Sequence, residues 1–188
     1  MSAPTPNPVP ISEMIDQSIK VISNPTVETF NNYESRGTMR DALIYVGLGA
    51  LISGALSFSN GLGGIIGGAL STLVAFFVFV YVVHTFGKSQ GGTGTLDQVA
   101  YTFSLFWMPL SILSAVAILI LTITIVGILL IPALLLAILA ANAYFGYVGV
   151  QSSMNMPKGS QAIITLVVAV IATGIAYGII DAIILCCT

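Results

Sequence analysis

The chain has 188 residues, 56% of them hydrophobic and 6% charged, against roughly 25% charged in an ordinary soluble domain. Net charge is −2 and mean hydropathy +1.02, so there is too little polar sequence to clothe a water-soluble fold. Five scattered basic residues (Lys20, Arg36, Arg40, Lys88 and Lys158) form no run or patch, which excludes a surface that tracks a nucleic-acid backbone.

Residues 1–10 are polar and proline-rich and read as a disordered leader. They have neither a basic start nor an apolar run, so no removable signal peptide is expected there. In 11–22, Ile11, Met14, Ile15, Ile19 and Ile22 recur at helical spacing, with Glu13, Asp16 and Lys20 off the stripe. This predicts a short amphipathic helix lying on the membrane or on a bundle. With so little positive charge to hold it on lipid, packing of the stripe against protein is the favoured use. Next, Asn24 suits an N-cap and Pro25 the first helical turn, predicting a second short helix over 25–33. Together 11–41 form an amphipathic head.

From 42 to 188 the chain reads as a transmembrane bundle. A span takes about 20 apolar residues, so four to six fit. The pattern predicts spans near 42–58, 62–86, 99–121, 126–150 and 162–185. The first two are joined by Ser59-Asn60-Gly61, and polar loops lie at 87–97 and 151–160. Between Asp97 and Lys158 no charge occurs, so the stretch holds two spans or three. Two spans place every basic residue on one face, and basic residues gather on the cytoplasmic side. The expected fold is therefore all-α, a polytopic five-span bundle with a cytoplasmic N-terminus, and a very tight turn near 122–127. Gly63 and Gly67, Gly64 and Gly68, and Gly174 and Gly178 are spaced for close helix approach. They read first as packing within one bundle and second as the seam of a homo-oligomer. Phe86, Trp107, Tyr144 and Tyr147 are expected in interfacial belts.

Candidate chemistry is sparse. Gly87-Lys88-Ser89 resembles the end of a phosphate-binding loop, but Val82 stands where that loop needs a glycine and a span replaces its strand. Asp181 is the one acid inside an expected span and Asn142 is a polar residue within the fourth, so both are candidate intramembrane polar sites. Asn142 is expected to bond across helices. His84, with no second histidine and no cysteine on its side of the membrane, reads as an interfacial anchor rather than a metal ligand. Cys186 and Cys187 are adjacent and show no metal spacing. No grouping of nucleophile, base and acid is available, so the expectation is a non-enzymatic protein with no cofactor and no metal. Asp181 and Asn142, with Pro109 and Pro132 interrupting expected spans, leave open a small transporter or channel that uses intramembrane polar residues beside a cavity.

The order of parts resembles the Yip1 domain family of five-span membrane proteins. The resemblance rests on Asn24, Pro25, Thr29 and Phe30, which stand as in the family's entry motif before the first span. It rests also on the loop carrying Gly87, Lys88, Gly91, Gly92 and Gly94, which leads to a span with Pro109, and on the short loop before the last span. It covers about residues 20–185. The resemblance implies a cytosolic head and a non-enzymatic role in organising membrane or recruiting other membrane proteins or a cytosolic partner. Eukaryotic members act in vesicle trafficking in Golgi and ER membranes and bind Rab-type GTPases. Where many of those carry Asp-Leu-Tyr-Gly-Pro, this chain has Arg36-Gly37-Thr38-Met39-Arg40-Asp41, which looks more like a prokaryotic member of the cell membrane.

Overall fold

The computed structural model describes residues 8–56, 61–156 and 159–187, without the side chains of 61–64 and 180–187. It contains helices α1 (Ile11–Ser23), α2 (Val27–Asn31), α3 (Met39–Leu56), α4 (Gly61–Ser89), α5 (Leu96–Thr122), α6 (Ile125–Ser153) and α7 (Gly159–Cys187). Five of these, α3 to α7, carry a stretch long and apolar enough to cross a membrane. Two such helices, α5 and α6, occupy the charge-free stretch, as the grouping of basic residues demanded. Lys158 itself and the residues of the turn at 57–60 lie outside the described residues.

The turn between α5 and α6 is as short as expected. Only Ile123 and Thr124 separate the helices, and the Thr124 hydroxyl accepts from the Gly127 amide at 2.9 Å. A Cβ at Gly127 would collide with the Leu121 carbonyl, so a side chain there would force the turn apart. α5 starts at a capping box: Thr95 Oγ1 accepts from the Gln98 amide and Gln98 Oε1 accepts from the Thr95 amide. Pro109 and Pro132 sit inside continuous helices and break neither.

α5 is the hub, packed against α3, α6 and α1; α4 joins α3 and α7, and α2 rests on α6. At about 1.5 Å per residue, α4 to α7 run about 40–44 Å, roughly 10 Å longer than a hydrocarbon core of about 30 Å. The densest packing lies at the end that carries the head. There, residues 99–106 of α5 bury against Val80 and Val83, Phe145, Val148 and Val150, and the head adds Met14, Val21 and Phe30. At the opposite end, Ile123 and Ile125 of the α5–α6 turn are 77% and 83% exposed, as a lipid-embedded tip requires.

Three expectations are corrected. α1 does not turn its isoleucines inward: Met14, Gln17, Ser18 and Val21 face the bundle, while Ile11, Ile15 and Ile19 are exposed. Hydroxyl and amide partners on the bundle explain the choice, since Ser18 pairs with the Tyr45 hydroxyl at 2.9 Å and Gln17 accepts from Tyr101 at 2.8 Å. The second correction concerns the small-residue motifs. Gly67, Gly68, Gly174 and Gly178 have open space where a Cβ would stand, so they are not seams within the chain. The close approaches are made by Gly49 on Met108 and Gly146 on Leu166 instead. Thirdly, the Trp107 ring on α5 is turned into the bundle, edge-on against Phe76 and Phe79 at 5.4 and 5.5 Å, rather than outward as a belt residue would be.

Candidate functional site at the head end of the bundle

The head-end face is built from three segments far apart in sequence. The first is the entry to the bundle. Thr26, not Asn24, caps α2: its hydroxyl accepts from the Thr29 amide at 3.2 Å, and the helix starts at Val27, after Pro25 rather than at it. A proline disfavours helical backbone in the residue before it, which keeps Asn24 out of the helix. Phe30 is fully buried and meets the Phe106 ring edge-on at 6.1 Å. The Tyr144 hydroxyl donates to the Pro25 carbonyl at 3.2 Å, fixing the start of the segment to α6.

The second segment is the glycine loop. Its Thr93 amide donates to the Met154 carbonyl at 3.0 Å, seating it on the end of α6. Gly94 lies so close to the Ser153 carbonyl that a Cβ would overlap it, and Gly91 has a φ of +90°, a region that disfavours other residues. The flexible Met154 side chain packs close over Gly87 and Gly92, and Gly92 also lies close to the Gly87 carbonyl. Lys88 is exposed and its Nζ reaches the Thr93 carbonyl at 3.4 Å. The third segment is the end of α6, whose Ser152 hydroxyl donates to Asn31 Oδ1 at 2.6 Å and stands 3.2 Å from Glu34 Oε2.

Glu34 knots the three together. Gln98 Nε2 donates to its Oε1 at 3.4 Å, and burial raises its carboxyl above the ordinary carboxylate range while the Ser152 hydroxyl opposes that rise. The Met39 amide donates to Asp97 Oδ1 at 2.7 Å, holding the start of α3 against the start of α5. Arg36 stacks over Tyr33 and pairs with Glu13 at 3.6 Å, an exposed ion pair of small energetic weight. The sequence reading found the three segments but missed Glu34, Gln98 and Ser152. The pattern Thr95-x-x-Gln98 before an apolar run was a readable signal for one of them. Burial of Glu34 is a tertiary fact.

The intramembrane candidates are placed differently. His84 is half-buried on α4, one turn before Lys88. Among the described residues, no three His, Cys, Asp or Glu side chains are grouped as a metal site would need. The Asn142 amide donates to the Ile138 carbonyl of its own helix at 2.9 Å, in place of the expected bond across helices. The side chain of Asp181 lies outside the described residues. Asn142 lines a cavity of about 400 Å³ between α6 and α7, backed by the rings of Phe79, Phe103, Phe106 and Trp107.

Five apolar helices of membrane-spanning length, joined to a folded amphipathic head, define a polytopic integral membrane protein. The Yip1 domain model matches residues 19–180, from the second half of α1 into α7. The chain belongs to the Yip1 family. No curated protein and no solved structure matches it.

Proposed function

We propose that this protein organises its membrane by recruiting a partner to the head-end face, without catalysis, and that this face is cytosolic. The supporting observation is convergence: the entry segment, the glycine loop and the end of α6 close into one hydrogen-bonded surface through Ser152, Glu34 and Thr93. That surface leaves Asn24, Glu28, Asn32, Lys88, Ser89 and Thr95 exposed. Buried Phe30 and the crowded glycines hold it rigid, and a preformed surface loses less entropy on binding than a mobile one. The partner is another membrane protein or a cytosolic protein. The host membrane follows the source: the cell membrane in a prokaryote, Golgi or ER in a eukaryote.

Native co-purification tests this. Full-length protein extracted in several mild detergents is expected to retain a specific partner, and the pair Asn32→Arg and Lys88→Glu is expected to release it. If no extraction retains one, or the pair leaves binding unchanged, the reading fails. Of the features that favour a transporter or channel instead, Asp181, Asn142 and two helix-breaking prolines, both prolines sit in continuous helices and Asn142 bonds within its own helix.

A further inference from the structure

The bundle tapers away from the head. The Met39 amide bonds Asp97, and Ser53 Oγ donates to Ser111 Oγ at 3.4 Å, so α3 and α5 start together and run side by side. Beyond these serines α3 has three residues left and α5 has eleven, so α3 stops about 12 Å short of α5. A Cβ on Gly54 would stand 3.3 Å from the Ile65 side chain, which sets the register of α4 on α3. From that level α4 extends only four residues farther, to Gly61, and ends about 9 Å short of α5. By contrast, from the contact of Gly146 with Leu166, α6 and α7 each have 21 residues left to the far end. Among the described residues, the far tip is therefore made of α5, α6 and α7 alone. The head-side half holds all five spans and α1 besides, fixed by Ser18 on Tyr45 at 2.9 Å and Tyr101 on Gln17 at 2.8 Å.

The free face of α1 belongs to lipid. Ile15 and Ile19 are 42% and 58% exposed and border one groove with Leu113, itself 57% exposed within the α5 span. A stripe continuous with the outer side of a span is covered by the same hydrocarbon. Lipid charge does not draw it there, since α1 carries Glu13, Asp16 and Lys20 and is acidic by one charge.

The asymmetry survives any placement of the bilayer. A hydrocarbon core is about 30 Å thick and α5 is about 40 Å long. With the spare length beyond the head-side surface, the three-helix tip lies in the far leaflet. With it beyond the other surface, α1 sits deeper in the head-side leaflet. Either way the head-side leaflet holds the larger protein cross-section. A helix about 10 Å across takes about 80 Å² end-on, and one the length of α1 about 200 Å² lying flat, so α1 adds at least the area of a further span.

We propose that this chain is a wedge that selects strongly curved membrane, with its head on the convex side. There the leaflet is stretched and its headgroups are spread, and the α1 isoleucines fill the gaps between them; the tapered tip suits the compressed leaflet opposite. Its two buried hydrogen bonds make α1 a fixed part of the wedge. What it recognises is a lipid surface chosen by shape. This is independent of recruitment at the head-end face.

The test uses the full chain, purified, in giant vesicles of uncharged lipid from which narrow tubes are drawn. Ser89→Cys, with Cys186 and Cys187 replaced, carries the dye. An impermeant maleimide labels molecules whose head is outside; capping those first and adding a permeant dye labels the others. Against a lipid dye, head-out molecules are expected to be enriched on the tube and head-in molecules depleted. Ile11→Asn, Ile15→Asn and Ile19→Asn together are expected to bring both tube-to-vesicle ratios closer to unity. Ratios of unity, or the same ratio for both orientations, would overturn the wedge. Unchanged ratios in the triple variant would overturn the part given to α1. Enrichment that requires added anionic lipid would overturn selection by shape. The contrast between orientations in the wild type decides the matter even if the triple variant does not fold. No protein partner is present, so failure here and failure of co-purification are separate results.

Discussion

At the scale of residues, Glu34 carries the pH dependence of the head. Its carboxyl is raised by burial, so the folded state holds this proton to a higher pH than the unfolded chain. The geometry suits the protonated form. A neutral Glu34 can donate to Ser152, whose own hydrogen goes to Asn31, giving one hydrogen per bond along the chain. Stability from this group is present in full below the ordinary carboxylate pKa and is lost as pH rises through the raised value. Thermal midpoints in detergent from pH 4 to 8 are expected to fall with pH more steeply for the wild type than for Glu34→Gln. Equal slopes would remove Glu34 as the cause. Glycines give a second contrast. Gly94→Ala drives a Cβ into the Ser153 carbonyl and is expected to cost about 3 kcal/mol in equilibrium unfolding by SDS titration. Gly174→Ala meets nothing and is expected to stay within about 1 kcal/mol, on the stabilising side.

At the scale of elements, α1 has three faces rather than two. Met14, Gln17, Ser18 and Val21 meet the bundle, Glu13, Asp16 and Lys20 are exposed, and the exposed isoleucines form a stripe between these two faces. Ile15, Ile19 and Ile22 border a groove with Pro109, Ile112 and Leu113 of α5. Those α5 residues are 14 to 18 positions into a 27-residue helix, about 20–25 Å from its head end. Even with all of the excess helix length on the head side, this level lies inside the hydrocarbon. The stripe thus continues the lipid-facing surface of α5, and the head dips into the leaflet. In membranes, with Cys186 and Cys187 replaced, Ile15→Cys is expected to resist a charged maleimide that labels Asp16→Cys readily. Similar rates for both would put the stripe in water. The helical period located this element, but it could not choose between two faces that both carry apolar side chains. Tyr45 and Tyr101, from α3 and α5, made that choice.

At the scale of the whole molecule, five spans put the head and the far end of α7 on opposite sides of the membrane. Ser89→Cys and Ser160→Cys are expected to react with a charged maleimide from the same side, the cytosolic one, assayed in intact cells and inverted vesicles. Reaction of the two from opposite sides would overturn the span count. The architecture also separates two tasks. Helix lengths beyond the hydrocarbon thickness let α4 to α7 build a packed, hydrogen-bonded head end, while the thin α5–α6 tip meets lipid on both helices.

The sequence by itself determined the membrane, the five spans, the head and the segments that form its face. Those follow from where charge is scarce and where glycine, proline and capping residues stand, and both are local properties of the chain. Tertiary structure decided the rest. It chose which face of α1 is covered, made Gly49 and Gly146 the close contacts in place of the spaced glycine pairs, buried Glu34, and left Asn142 lining a cavity. Each depends on which helix arrives opposite a residue, and in a chain so uniformly apolar the hydrophobic pattern carries almost no information about that.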